Sequence, residues 1–179
     1  MLRLMLLRHA KTESDAPSGE DIDRRLDERG RDDAAIMGRW MAAHGIHADQ
    51  VLVSTAVRTR QTWDIVAPLL GAPAIPVKYL QSLYLADPND ILAVIRQTAS
   101  RPQPRRLLVI GHNPGMHELA LALSGKGDAA ARKQLGCNLP TSGLAVIDFA
   151  IEDWRDIGIQ GGRLQQFVTP RLLKTAGIA

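Results

Sequence analysis

The sequence has little cysteine, few aromatic residues and almost no excess of charge of one sign. Its one cysteine, Cys137, cannot form a disulfide within the chain, which suits a reducing compartment. Aromatic residues make up 4% of the chain, too few for a platform on which nucleic-acid bases stack. Lysine and arginine number 22 against 19 aspartates and glutamates, a balance that does not indicate a nucleic-acid partner.

Long hydrophobic runs are also missing. No stretch approaches the roughly 20 apolar residues of a membrane-spanning helix, so we expect no membrane partner. The opening run MLRLMLL is too short for a signal peptide, is interrupted by Arg3 and precedes no small-residue cleavage site. These features predict a cytoplasmic protein. Its 179 residues, 45% of them hydrophobic, fit a single domain over 1–179.

Short apolar runs alternate with helical patterns along the chain. Asp87 is the predicted N-cap of one helix and Asn113 of another, because each precedes a proline suited to the first helical position. The alternation predicts an α/β fold, a three-layer sandwich around a mainly parallel sheet. The predicted strands cover 2–7, 50–54, 75–80, 106–111 and 143–150, with a sixth candidate over 163–170 after a hairpin turn at Gly161-Gly162; the predicted helices cover 27–44, 56–70, 87–99 and 113–125; and 124–142 is predicted to be rich in loops.

Chemically capable side chains follow three of the predicted strands. The first strand leads into Arg8 and His9, the second is followed by Arg58, and the fourth is followed at once by His112. Ligands of open α/β sheets bind at the carboxyl ends of the strands, so we expect these residues to meet in one crevice. Each residue alone also fits a structural role. Their joint placement at three strand ends favours a site.

Such a site is cationic. Two guanidinium groups present paired donors that fit phosphate oxygens, and an imidazole beside them can attack phosphorus. This set meets the charge demand of phosphoryl transfer without a metal or another cofactor. His112 and His117 are five residues apart rather than four, so they do not form a helical zinc site.

The segments LLRHA, STAVRTRQT and VIGHNPG together resemble the signature of the histidine phosphatase superfamily, also called phosphoglycerate-mutase-like. The resemblance extends over most of the chain. It implies a phosphoglycerate-mutase-like fold, a phosphorylated nucleophile at His9, and a phosphate pocket formed by Arg8, Arg58 and His112. The late segments NLPTSGLAV and FVTPR look like those of the compact SixA-type phosphohistidine phosphatases.

Two further residues are expected to contact the substrate. Asn113 directly follows His112, and Thr141 lies in a late loop next to Ser142. Thr141 fits a structural turn equally well.

The loop LQSLYLADPND departs from the family pattern, in which a Glu or Asp after the third strand gives a proton to the leaving group. This loop has no Glu, and its nearest carboxylate, Asp87, is already predicted to cap a helix. An alkoxide needs an acid in order to leave, whereas imidazole, with a conjugate-acid pKa of about 6.5, leaves as a neutral molecule. The missing acid therefore favours phosphohistidine as the substrate.

The sequence thus predicts a metal-independent phosphatase that forms a phosphohistidine intermediate on His9, and the resemblance to the SixA-type branch implies that its substrate is phosphohistidine on a partner protein. Two alternatives stay open. A small-molecule phosphomonoesterase or mutase of the same superfamily would use Asp87 as its proton donor. A non-catalytic module would bind a phosphorylated ligand tightly without forming a phosphoenzyme.

Overall fold

A computed structural model describes residues 1–71, 75–98 and 102–178. Within these residues seven strands form one sheet, in the order β3-β2-β4-β1-β6-β7-β5. The strands are β1 (Leu2–Arg8), β2 (Gln50–Ser54), β3 (Val77–Leu80), β4 (Arg106–Gly111), β5 (Ser124–Gly127), β6 (Leu144–Phe149) and β7 (Gly162–Val168). The helices are α1 (Glu28–Ala43), α2 (Val57–Leu69), α3 (Pro88–Arg96), α4 (Gly115–Leu123), α5 (Ala129–Cys137) and α6 (Pro170–Thr175).

Helices cover both faces of the sheet. Alternate side chains of a strand point to opposite faces, and β1 divides its apolar residues between two clusters accordingly. Leu4 and Leu6 belong to a cluster that includes side chains of α3, α4 and α5. Met5 and Leu7 belong to a second cluster, with side chains of α1 and α2. The predicted three-layer α/β sandwich is therefore confirmed, whereas the extent of the single domain stays a prediction.

The sheet is mainly parallel, as predicted, and β1 lies where its parallel and antiparallel parts meet. β1 pairs in parallel with β4 and antiparallel with β6. The carboxyl end of β1 therefore lies beside the carboxyl end of β4 and the amino end of β6. Loops that follow β4 and loops that precede β6 consequently reach the same edge.

The segment 124–142 is not mainly loop, and this prediction is wrong. It contains β5 and α5, and the Asp128 side chain caps α5 by accepting a hydrogen bond from the backbone N–H of Ala131. Leu135 is the one buried residue of α5, so no apolar periodicity marks this helix in the sequence. The strand β5 has the sequence SGKG and depends on its pairing with β7 rather than on an apolar pattern.

Other local features also differ from the predictions. Asn113 does not cap a helix, because α4 begins at Gly115 and the Asn113 side chain donates to the carbonyl of Leu139 instead. Gly161-Gly162 is not a tight hairpin turn, because residues 150–161 join β6 to β7 and include a 3-10 turn. The helix predicted over 87–99 ends at Arg96, and residue 99 lies outside the described residues.

Candidate active site

The carboxyl ends of β1, β2 and β4 bring the four predicted residues together. Arg8 and Gly111, the last residues of β1 and β4, are partners in the sheet, so His9 and His112 follow side by side. The centroids of their imidazole rings are 5.2 Å apart. Arg58 enters the same cluster from the first turn of α2, and its charge acts on both rings. His9, Arg58 and His112 are all buried, and Arg8 is half-buried.

The hydrogen bond of His9 defines its tautomer. Nδ1 lies 2.8 Å from the carbonyl oxygen of Ala10, and a carbonyl only accepts, so Nδ1 carries the hydrogen. Nε2 is then left with a free lone pair. Burial lowers the pKa of His9 to about 3; the bond to Ala10 opposes this shift, and the charges of Arg58 and Arg8 add to it. His9 is therefore a neutral imidazole at neutral pH.

His112 is oriented by Ser54. Its Nε2 is 2.7 Å from the Ser54 hydroxyl oxygen, which also accepts the backbone N–H of Ala56 at 3.4 Å. No other acceptor for the Ser54 hydroxyl hydrogen occurs among the described residues, so we assign the hydroxyl as the donor to Nε2 and the ring hydrogen to Nδ1. Burial, with the charges of His9 and Arg58, lowers the pKa of His112 to about 3. His112 thus presents a neutral Nδ1–H.

Several buried polar atoms at this edge have no hydrogen-bond partner among the described residues. They include Arg8 Nε, His112 Nδ1, Asn113 Oδ1 and Ser142 Oγ. Nearly all buried polar atoms in proteins are paired, so a cluster of unpaired ones marks a place where a polar ligand fits. The guanidinium, imidazole and hydroxyl groups can donate, which suits an anion, whereas Asn113 Oδ1 only accepts.

The loop before β6 fixes Arg8 from the other side. The Leu139 carbonyl accepts hydrogen bonds from Arg8 Nη1 at 3.1 Å and from Asn113 Nδ2 at 2.8 Å. The backbone N–H of Ser142 lies 3.1 Å from the carbonyl oxygens of both Arg8 and His9. Ser142 has φ +57°, a left-handed conformation that non-glycine residues adopt at a cost. The backbone contacts with Arg8 and His9 hold Ser142 in this conformation.

The other two predicted substrate contacts occupy different environments. Asn113 lies beside this cluster through its bond to Leu139. Thr141 lines a groove formed with residues of α1, α5 and α6, including Arg29, Cys137 and Leu172. Their roles toward a substrate stay predictions.

An acidic residue that the sequence did not reveal completes the cluster. Arg58 donates through Nη2 to Asp21 Oδ2 at 2.9 Å and through Nη1 to the Asp21 carbonyl at 2.7 Å. The Tyr84 hydroxyl donates to the same Oδ2 at 2.8 Å, and Arg24 donates to Oδ1 at 3.2 Å. Burial raises the pKa of Asp21, but the bonds from Tyr84, Arg58 and Arg24 outweigh it and hold the pKa at about 2. No motif marks these loop residues.

Asp87 caps α3, as predicted. Its Oδ1 accepts the backbone N–H groups of Asn89 and Asp90, and its side chain is exposed. The preceding residue, Ala86, lies against the start of α4, where a Cβ on Gly115 would be 2.0 Å from the Ala86 carbonyl oxygen. Asp87 is thus close to the helix that follows His112, and its role as a proton donor stays a prediction.

No group of three or more His, Cys, Asp or Glu side chains that could hold a metal ion occurs in the described parts of the chain. His117 Nε2 is 2.6 Å from the Leu135 carbonyl oxygen, away from His112. No helix among the described residues is long and apolar enough to cross a membrane.

Comparisons with known proteins identify the family of this chain. The family model of the histidine phosphatase superfamily (branch 1) matches residues 4–87. An uncharacterised protein of Mycobacterium leprae is 36% identical over 173 residues, covering 92% of this chain and all of that protein. The crystal structure of "the putative phosphohistidine phosphatase SixA from Agrobacterium tumefaciens" is 32% identical, with a TM-score of 0.77, over 94% of this chain and 98% of that one. Phosphohistidine phosphatase SixA of Escherichia coli is 26% identical over 63% of this chain and 68% of its own length. The chain therefore belongs to the histidine phosphatase superfamily and is SixA-like in sequence and fold.

Proposed function

We propose that this protein is a cytoplasmic, metal-independent phosphatase that forms a phosphohistidine intermediate on His9 and dephosphorylates phosphohistidine on a partner protein. The observation that carries the proposal is the state of His9. It is a buried, neutral imidazole whose Nε2 lone pair is not used by the bond to Ala10, in the field of Arg8 and Arg58, and the Arg8 Nε donor is unpaired among the described residues. Family membership and the likeness to SixA proteins support the same reaction.

In the first step His9 Nε2 attacks phosphorus and forms a P–N bond. The bond between phosphorus and the substrate imidazole breaks, and its electron pair goes to that imidazole nitrogen. Because the substrate ring carries a proton on its far nitrogen, it leaves as neutral imidazole. His9 keeps its Nδ1–H, whose bond to the Ala10 carbonyl stabilises the charge that the ring gains.

In the second step water attacks the phosphorylated His9. The new P–N bond breaks, its electron pair returns to Nε2, and both protons of the water leave with the phosphate, which then equilibrates with solvent. Arg8 and Arg58 bind the phosphoryl oxygens, and His112 donates its Nδ1–H to one of them. A fixed donor of this kind is worth roughly 100- to 1,000-fold in kcat.

The states of the titratable side chains near His9 favour phosphohistidine as the substrate. Asp21 is ionised, with a pKa of about 2, and His112 is neutral, with a pKa of about 3, so neither gives up a proton readily at neutral pH. Asp87 is engaged as a helix cap. A leaving group that departs without an acid fits such a site better than an alkoxide does.

The test compares phosphate release from a phosphohistidine peptide with release from an alkyl phosphate. We expect the peptide to be preferred by at least about 100-fold, since a general acid is worth that much for the ester and the proposed mechanism uses none. Asp87→Asn keeps a good N-cap residue and removes the carboxylic acid. Efficient ester hydrolysis that Asp87→Asn abolishes would contradict the proposal and favour the small-molecule phosphomonoesterase or mutase. Tight phosphate binding without any turnover would favour the binding module.

The low pKa values of His9 and His112 predict a loss of stability in mild acid. Both rings stay neutral in the folded protein down to about pH 3, whereas in the unfolded chain they bind protons below about pH 6.5. Their contribution to stability is complete above pH 6.5 and is lost as the pH falls toward 3. We expect roughly 1 to 2 kcal/mol per histidine to be lost between pH 7.5 and pH 5. Urea unfolding at the two pH values measures this loss, and equal midpoints would contradict it.

A further inference from the structure

Asp21 places a fixed negative charge at the edge of a cationic pocket. Its side chain is 44% exposed, whereas that of its partner Arg58 is 4% exposed. Three side chains from separate parts of the chain hold the carboxylate: Arg58 of α2, Arg24 of the first loop, and Tyr84. The charge is therefore held in one place and remains open to solvent on one side.

The same contacts bring this charge close to the reacting groups. The Tyr84 ring meets the His112 ring edge-on, with centroids 5.6 Å apart, and the Arg58 guanidinium carbon lies 5.9 Å from the Tyr84 centroid. Tyr84 thus connects Asp21, Arg58 and His112 in one cluster. A phosphoryl group bound at Arg58 would therefore lie near the Asp21 carboxylate, which Arg58 also binds and whose charge acts on His112.

A carboxylate in this position cannot serve the phosphoryl group itself, because both are anions. It is instead suited to interact with the leaving group, which lies on the other side of the P–N bond that breaks. A protonated phosphoimidazole presents a cationic ring with an N–H on its far nitrogen, and a carboxylate is a strong acceptor for such a donor. A leaving group that carries its own negative charge would be repelled.

We propose that Asp21 determines specificity by accepting a hydrogen bond from the far N–H of the leaving imidazole and by disfavouring anionic leaving groups. The inference rests on the proposed function. The bond keeps the proton on the far nitrogen while the P–N bond breaks, so the electron pair neutralises the ring and imidazole leaves uncharged. Asp21 neither forms nor breaks a covalent bond in this step.

The test uses Asp21→Asn with two substrates that share the same P–N bond, phosphoimidazole and its N-phosphorylated imidazole-acetate counterpart. With its amide oxygen in the place of Oδ2, the variant still accepts from Tyr84 and Arg58, and it loses the charge and the acceptor that faces Arg24. We expect kcat/KM for phosphoimidazole to fall about tenfold, as for the loss of about 1.4 kcal/mol, and kcat/KM for the anionic substrate to fall less or to rise. The ratio of the two values is the decisive quantity.

The matched control is Asp23→Asn, in the same 3-10 turn, whose carboxylate accepts from Ser18. It should leave the ratio unchanged. If Asp21→Asn raises both rates equally, Asp21 merely competes with substrate for Arg58, and the inference is overturned. If both rates fall equally, Asp21 only holds Arg58, and it is overturned again. A wild-type protein that hydrolyses neither these two substrates nor the phosphohistidine peptide would overturn the proposed function and this inference with it, whereas hydrolysis of the peptide alone would overturn only this inference.

Discussion

Replacing His9 with alanine should reduce phosphate release by at least about 1,000-fold, because the variant has no nucleophile for the first step. The wild-type protein, denatured rapidly in alkali during turnover of labelled substrate, should retain the label on a histidine, and His9→Ala should retain none. The low pKa of His9 means that the whole population attacks as neutral imidazole without a prior deprotonation. Initial rates and the trapped label measure the two parts of this prediction.

His47→Ala is the matched control for this experiment. His47 precedes β2, at the edge of the sheet opposite the candidate site, so its loss should change neither rate nor labelling. A His9→Ala variant that still turns over within tenfold of wild type would show that another group attacks phosphorus. Label on a residue other than His9 would contradict the mechanism directly.

Arg58→Ala should lower kcat by roughly 100- to 1,000-fold, the cost of removing one fixed donor to a developing charge. It should also cost roughly 1 to 3 kcal/mol of stability, because Asp21 loses two hydrogen bonds from a buried guanidinium. Arg58→Lys retains the charge but not the paired donors of the guanidinium, so its kcat should lie between those of the wild type and Arg58→Ala. Steady-state kinetics and urea unfolding separate the effect on activity from the effect on folding.

Arg60→Ala offers the comparison on the same helix. Arg60 is exposed, and its guanidinium carbon lies 5.1 Å from the centroid of Tyr79 rather than in the cluster around His9. We expect its kcat to stay within about threefold of wild type, in line with the small effects of surface substitutions. If Arg58→Ala and Arg60→Ala behave alike, Arg58 does not bind the phosphoryl group.

The residues that the sequence predicted correctly to lie together share one property, their position at the ends of strands. Arg8, His9 and His112 follow apolar runs, and parallel strands bring their carboxyl ends to one edge, so topology alone places them together. The same rule places Arg58, because α2 begins just after the carboxyl end of β2 and Arg58 lies in its first turn. At these positions, the order of residues along the chain predicts which side chains lie close together in the fold.

The remaining features of the site depend on contacts that leave no such pattern. Asp21 and Tyr84 are far apart in the chain and meet through side chains of two irregular segments. Ser142 reaches His9 because β6 runs antiparallel to β1, and the sequence of β6 does not specify that direction. The predicted N-cap at Asn113 failed for a similar reason, since a distant carbonyl, that of Leu139, binds its side chain. Tertiary contacts override local preference in each case.

Because β1 pairs with both β4 and β6, the sheet around β1 cannot form until both of these strands have been synthesised. β1 leaves the ribosome long before its two neighbours, Arg106–Gly111 and Leu144–Phe149. Until both emerge, its apolar residues lack their sheet partners, and Arg8 lacks the Leu139 carbonyl that holds it. Pairing of segments so distant in the chain is slow, because loop closure must precede the contacts that reward it. A nascent chain that ends before Phe149 therefore has the residues of the pocket without the pocket, and an exposed strand edge that invites association with other chains.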